Sequence, residues 1–462
     1  MKLFLFILLV ISVSWLQAAD TKEEGFDDPE IQKALNQDNN DTNTTNQHVD
    51  LTLIGRVMTN KDAFPNSPYG FALFESYYES DHYKVAGGMF VQRSQPNEEI
   101  PINHLYVEYF NSSFHFKIGK MVEKIGVLDY FSMLDTLNPP RLEFYDDPNM
   151  NIKRTPLWMA HADYYVDNAW KVSLYGIPFD AKNQDYKGYY VNYALNTFLP
   201  EAYSRFFNNG VLGQYIFAPT YYNVLSPYLA EDIASKSPSQ GYLSLKNSAV
   251  GIVLEHNDGE VKTGFVYFNR YSEVPLIKVD ANLVSAAQTY QNQGNPFPAL
   301  GDYITSFDYN PIKSVEGFRY QQVGLYKETT INSYGLRGEI SYRDKVPLVN
   351  TFGSLTTGGF SIDHTYNTTY CALETQYIHL DAYDKSALIS MFTTKFEPTT
   401  FWIFRMGFQN RLIGEAVDKQ NDVAINPQIS LSYKQTDFII QGLASANNSQ
   451  TNTLSFTLRS SF

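Results

Sequence analysis

From Val49 onward, apolar and polar residues alternate along short segments divided by turn residues. A period of two gives a strand two unlike faces. Eighteen segments follow this rule: 49–58, 69–78, 83–93, 103–110, 113–120, 157–166, 169–177, 247–256, 259–269, 317–329, 332–344, 353–365, 369–380, 385–396, 400–410, 422–433, 437–446 and 451–462. In 332–344, Tyr334, Leu336, Ile340 and Tyr342 share one face, and Arg337, Glu339, Ser341 and Arg343 the other. In 422–433, Ile425, Ile429, Leu431 and Tyr433 oppose Asn426, Gln428, Ser430 and Ser432. Segments 69–78 and 317–329 carry aromatic or large apolar residues on both faces, so their register is weakly set.

The connections alternate too. After even-numbered segments they are tiny, as at 79–82, 111–112, Asp167-Asn168, Asn257-Asp258, Ile331 and around Asn367. After odd-numbered segments they are usually longer, as at 121–156, 178–246 and 270–316, although 381–384 and 447–450 are short. An up-and-down barrel in an outer membrane has short turns at one rim and long loops at the other. A soluble sandwich would have no reason to put every long loop on one side. In lipid, strands can span only as a closed barrel, because every backbone N–H and C=O must be paired. The expected fold is therefore all-β: a transmembrane antiparallel up-and-down β-barrel of about 18 strands over 49–462, with 16 possible. A cylinder of that size with polar residues inward leaves an aqueous channel.

Residues 1–19 read as a secretory signal peptide: Lys2, then the apolar run 3–16, then small residues at Ala18 and Ala19. The run is shorter than the roughly 20 residues of a spanning helix. The expected mature N-terminus is Ala19 or Asp20. Residues 20–48 read as an acidic, Asn/Thr-rich disordered tail, with a short helix conceivable after Asp28-Pro29. No globular plug precedes Val49, which disfavours a plugged transporter barrel.

Composition narrows the function. Charged residues are 18% of the chain, while 35 Tyr and 32 Phe make it rich in strand-forming aromatics. The net charge of −14 argues against nucleic acid, which needs a basic footprint. One Cys, Cys371, excludes an internal disulfide, and with 8 His it argues against a Cys/His zinc cluster. No cofactor is expected. His161 and Asp163 share a face of one strand, but no Ser stands beside a His and an orienting acid in a hydrolase pattern. Asp363 and His364 are adjacent and so face opposite ways. Cys371 alternates with Leu373 and should face lipid. The Gly-Gly pairs at 87–88 and 358–359 lie inside strands and suit bends or close packing. The sequons at Asn111 and Asn367 fall in tight turns, which explains them as turn residues.

The chain ends in LSFTLRSSF, with Phe456, Leu458 and Phe462 alternating. This ending resembles the C-terminal strand read by the bacterial outer-membrane assembly machinery. Two further stretches, KIGKMVEKIGVLDYFSMLDTLNPPRL (117–142) and VGLYKETTINSYGLRGEISYR (323–343), resemble the proteobacterial outer-membrane porin superfamily that includes alginate-export and phosphate-selective barrels. The first matches a Gly-Lys strand end and an Asp-x-x-Asn-Pro element, the second a Gly-Glu-x-x-Tyr strand. The chain departs from the family where Glu123-Lys124-Ile125 replaces an aromatic. The resemblance implies a channel for passive diffusion of small hydrophilic solutes or ions, not an enzyme. An export conduit for an anionic polymer, a barrel-embedded surface hydrolase and an adhesive barrel remain the alternatives.

On that reading the partners are the lipid bilayer, the assembly machinery and small solutes or ions. The oligomeric state is left open. Inward positions are Arg56, Glu108, Lys117, Asp163, Arg337, Glu339, Arg343, Glu374, Arg405 and Arg459, joined by Lys171, Lys262, Arg319 and Asp363. Connection 121–156 is the third long loop, which in general porins folds inward. It carries Glu123, Lys124, Asp129, Asp135, Arg141, Lys153 and Arg154 as constriction charges. The tail from Asp20 to Asp50 holds nine acids and two Lys, so much of the negative charge lies off the wall. A wall richer in Arg and Lys than in carboxylates favours anions.

Overall fold

The computed structural model describes residues 46–58, 69–92, 102–129, 132–138, 150–178, 248–272, 276–279, 312–347, 351–381, 385–399, 402–413, 422–433, 436–445 and 453–461. The expected signal peptide, nearly all of the tail, and most of connection 178–246 lie outside them.

Among the described residues twenty strands form: β1 (Asn46–Met58), β2 (Tyr69–Glu79), β3 (Tyr83–Gln92), β4 (Ile102–Phe110), β5 (Phe114–Met121), β6 (Leu157–Tyr165), β7 (Trp170–Ile177), β8 (Ala249–Asn257), β9 (Val261–Tyr271), β10 (Leu276–Val279), β11 (Ile312–Glu316), β12 (Arg319–Ile331), β13 (Tyr334–Pro347), β14 (Phe352–Tyr366), β15 (Thr369–Leu380), β16 (Lys385–Thr399), β17 (Trp402–Ile413), β18 (Asp422–Tyr433), β19 (Thr436–Ser445) and β20 (Thr453–Ser461). Eighteen of them make one sheet in which each strand pairs antiparallel with its neighbours in sequence. β9 pairs directly with β12, and β1 pairs with β20, Gly55 opposite Phe456, which closes the barrel. The eighteen expected segments are these eighteen strands, with ends moved by at most a few residues. β1 opens at Asn46, three residues inside the expected tail.

Two details differ from the sequence expectation. Connection 270–316 contains its own hairpin, β10–β11, held by Lys278–Glu316 at 2.8 Å. Leu276 is buried there with Phe318 and Tyr320. The β12–β13 turn is Asn332-Ser333 rather than Ile331, and both residues have positive φ (49° and 66°). Asn tolerates that conformation, whereas β-branched Ile does not. Other short turns repeat one device. Asn111, Asp167 and Asp258 each accept backbone N–H bonds from residues two and three further on.

The two faces are chemically opposite. Leu53, Leu105, Ile118, Leu174, Val250, Leu325, Ile340, Leu373, Ile429 and Phe456 point outward and are exposed. Ser173, Gln322, Ser341, Thr357, Ser361, Gln376, Gln428, Gln441 and Ser455 point inward and are buried. Water would not leave such an exterior bare, so the outer wall is a lipid-facing surface. Tyr78, Tyr83, Trp170, Tyr334, Tyr366, Trp402 and Tyr433 are exposed beside the short turns, where an interfacial aromatic girdle belongs. Among the described residues no helix is long and apolar enough to cross a membrane.

Candidate functional site in the barrel interior

The connection between β5 and β6 turns inward. Its root is closed by the Asp-x-x-Asn element. Asn138 Oδ1 accepts from Glu123 N at 2.9 Å, and Asn138 Nδ2 donates to Met121 O and Thr155 O at 3.1 and 2.9 Å. Asp135 pairs with Arg154 at 2.7 Å, and Arg154 also donates to Asn138 O at 2.9 Å. With its neck tied, the segment reaches the far wall. Glu339 Oε1 on β13 accepts from Val127 N and Leu128 N at 2.5 and 2.9 Å. Glu374 on β15 accepts from Asp129 N at 3.0 Å. Gln322 on β12 donates to Met133 O and accepts from Thr136 Oγ1. Arg270 on β9 donates to Thr136 O and Leu137 O.

Apolar contacts hold the same path. Ile125, Val127, Leu134 and Leu137 form one buried cluster with Met159, Tyr175, Val253, Val266, Phe268 and Tyr326 from the inward faces of β6 to β9 and β12. This explains why strands near 317–329 carry large apolar or aromatic residues on both faces: one set meets lipid and the other meets the internal segment. Beyond it, the short helix α1 (Met150–Lys153) reaches β2, where Asn151 Nδ2 donates to Glu75 Oε1 at 2.7 Å.

Charge on the adjoining wall is arranged in pairs. Across β4, β5 and β6, His115 lies between Glu108 (2.6 Å) and Asp163 (3.2 Å), and His161 between Asp163 (2.9 Å) and Glu123 (3.6 Å). Lys117 pairs with Glu123 at 2.8 Å. A neutral imidazole donates from one nitrogen only, so a ring with carboxylates at both nitrogens is satisfied when doubly protonated. Ser173 Oγ bonds Asp163, not an imidazole nitrogen, so these groups do not form a nucleophile–base pair. Glu123 lies in the connection, outside the strands. Burial pushes its carboxyl up, but His161 and Lys117 outweigh that and hold it down at about 2.

The remaining expected residues divide clearly. Arg337 binds Asp129 (3.0 Å), Glu328 (2.9 Å) and Asp363 (3.1 Å). Lys171 and Lys262 both bind Glu255 at 3.2 Å. Lys124 pairs with Asp129 at 3.1 Å. Glu339 and Glu374 are occupied by the internal segment. Arg343 lies over the Tyr320 ring at 4.3 Å. Arg343, Arg405 and Arg459 stand at inward register positions and make no ion pair among the described residues. Arg319 does not face inward as expected: it has the parity of exposed Val323 and Leu325 and bonds Asn269. Arg56 sits opposite Tyr69 and Ser455, and Lys153 lies in α1. Their side chains, like Arg141 and Phe462, lie outside the described residues. Phe456 is exposed on the outer face, with Leu458 on the same side.

Sequence reasoning missed Glu255, Arg270, Gln322 and His115. Glu255 and Arg270 fall on strands whose inward residues are otherwise largely apolar, so no alternation signalled them. The net basic wall counted from sequence also shrinks. Glu75, Glu255 and Glu328 are inward acids that were not counted, and most of the Lys residues are paired.

No protein-family model matches the chain, and no curated protein matches it either. Among solved structures, the chain is similar to Pseudomonas aeruginosa OccK2 (OpdF) in complex with glucuronate, at 6% identity and TM-score 0.49, covering 90% of this chain and 96% of that one. It is also similar to OccAB4 of Acinetobacter baumannii (8% identity, TM-score 0.47, 92% and 100% covered). A third is a BenF-like porin from Pseudomonas fluorescens Pf-5 (7% identity, TM-score 0.47, 91% and 98% covered). The architecture described above stands on the chain's own strand pairing and not on these neighbours.

Proposed function

We propose that the protein is a porin-like channel in a bacterial outer membrane that passes small hydrophilic solutes or ions by diffusion. The carrying observation is a closed barrel of eighteen strands with an apolar exterior and a polar, charged interior. That arrangement has a use only if lipid lies outside and water inside. Residues 1–19 would direct export, and the last strand would be read by the assembly machinery. Kinship with alginate-export and phosphate-selective barrels rests on 117–142 and 323–343, two stretches that contact each other where Glu339 meets Val127, Leu128 and Ser132.

The connection 121–156 is our candidate for the constriction. It brings Lys124 and Asp129 close to Arg337 of β13, and mixed charge at a narrow point orders water and selects solutes. We further propose a modest anion preference, resting on Arg343, Arg405 and Arg459 rather than on the whole wall. These are the expected inward cations left without a carboxylate partner among the described residues. The test is the zero-current potential across a planar bilayer in a potassium chloride gradient. A potential of the sign set by chloride supports the proposal; strong cation selectivity overturns it.

A further inference from the structure

The internal segment is held at one place with unusual completeness. Glu339 is buried, and its carboxylate accepts from two consecutive backbone N–H groups, Val127 and Leu128. The Ser132 hydroxyl lies at 2.8 Å from Oε2. A carboxylate only accepts, so it can take three donors at once. Charge-assisted bonds of this kind are roughly twice as strong as neutral ones. The fit requires Gly126, which has φ +91° and where any Cβ would strike Glu339 Oε1 and Ser132 Oγ.

Two glycines in the wall beside Glu339 complete the seat. Gly359, which is paired with Glu339 across β13–β14, leaves the space filled by the Leu128 side chain. Gly324 on β12 leaves the space filled by Leu134. Both leucines are almost fully buried. Each notch exists because a Cβ is missing, and each is filled by a residue from a single stretch of chain over 180 positions away in sequence.

We propose that Glu339, seated between the notches at Gly324 and Gly359, is the latch that fixes the internal segment against the far wall and so sets the calibre of the channel. This rests on the diffusion-channel proposal above. It makes Glu339 a positioning residue rather than a charge met by the solute.

The experiment places Leu128→Cys and Gly359→Cys in a Cys371→Ser background and measures disulfide yield and single-channel conductance, with Glu339 intact and as Glu339→Ala. With Glu339 intact, cross-linking should be fast. With Glu339→Ala it should slow several-fold. In the otherwise unmodified protein, Glu339→Ala should raise conductance several-fold and make it noisy. In the Cys-pair variant carrying Glu339→Ala, oxidation should restore the low, quiet level and reduction should reverse it. Glu339→Gln, which keeps one acceptor oxygen, should fall between. If Glu339→Ala does not fold, Gly359→Val displaces Leu128 from its notch and should give the same open, noisy level. Unchanged cross-linking and unchanged conductance in a folded Glu339→Ala barrel would overturn the latch. Absence of conductance in every variant, with cross-linking still slowed by Glu339→Ala, would sink the channel and leave the latch standing.

Discussion

Two sectors of the barrel are built on opposite rules. From β16 through β20 to β1, the buried inward residues are mostly polar, with Thr393, Gln428, Ser430, Gln441, Ser455 and Thr52 beside apolar Ile54. From β6 to β9, the inward residues include Leu157, Met159, Ile177, Val253, Val266 and Phe268, which pack against the internal segment. The first sector is a wall with a wet side. The second is a small protein core that happens to lie inside a barrel. The hydrophobic effect therefore stabilises one sector from within, while the other depends on backbone pairing and lipid.

The largest expected effect breaks the core-like sector. Phe268 is buried against Gly251 and Tyr175. Phe268→Ala should cost about 3–5 kcal/mol, the usual range for an aromatic cavity, read as a drop in the urea midpoint of the refolded barrel. The matched change in the polar sector is Ser430→Ala, which removes a bond from Gln428. It should cost only about 1 kcal/mol. Equal losses at both sites would erase the distinction.

Next comes the outer wall, which both sectors share. Ile340→Arg puts a charge on the lipid face and should cost up to about 2–4 kcal/mol near the midplane. Its neighbour Ser341 faces inward beside the notch that holds Leu134, so Ser341→Arg should leave membrane insertion intact and alter conductance instead. The measurement is the heat-modifiable gel shift beside single-channel recording; the same outcome for both variants would contradict the register.

A smaller effect separates paired from unpaired cations. Arg405→Glu with Arg459→Glu should shift the zero-current potential toward cations. Lys171→Gln should shift it less, because Glu255 keeps Lys262 as a partner. The smallest effect concerns pH. Glu123 is held at about 2, below the ordinary carboxylate value, by His161 and Lys117. A depressed carboxyl contributes stability that is present above its unfolded pKa and lost as pH falls through the folded one. The neck of the internal segment should therefore keep this contact at pH 4, with conductance noise no greater than at pH 7, and lose it only near pH 2.

The same contrast explains what could be read from sequence. Strand number, order and facing were legible because a wall with lipid on one side and polar chemistry on the other imposes a period of two. Tight turns were legible because Asn and Asp bond their own backbone. The core-like sector was not, since β8 and β9 carry apolar residues on both faces and the pattern does not say which set meets lipid. Glu339 was legible as an inward residue, but its donors lie over 200 positions away and are backbone amides, which leave no mark in sequence. Arg319 was misassigned because its strand is apolar on both faces, with Tyr320 and Tyr326 on one and Val323 and Leu325 on the other.

The central claim is that the polar interior conducts. Refolded protein, verified by its gel shift, would be added at low concentration to a planar bilayer in potassium chloride. The account predicts discrete, reproducible conductance steps from single insertions. Correctly folded barrels that insert and yet give no steps at any voltage would contradict it.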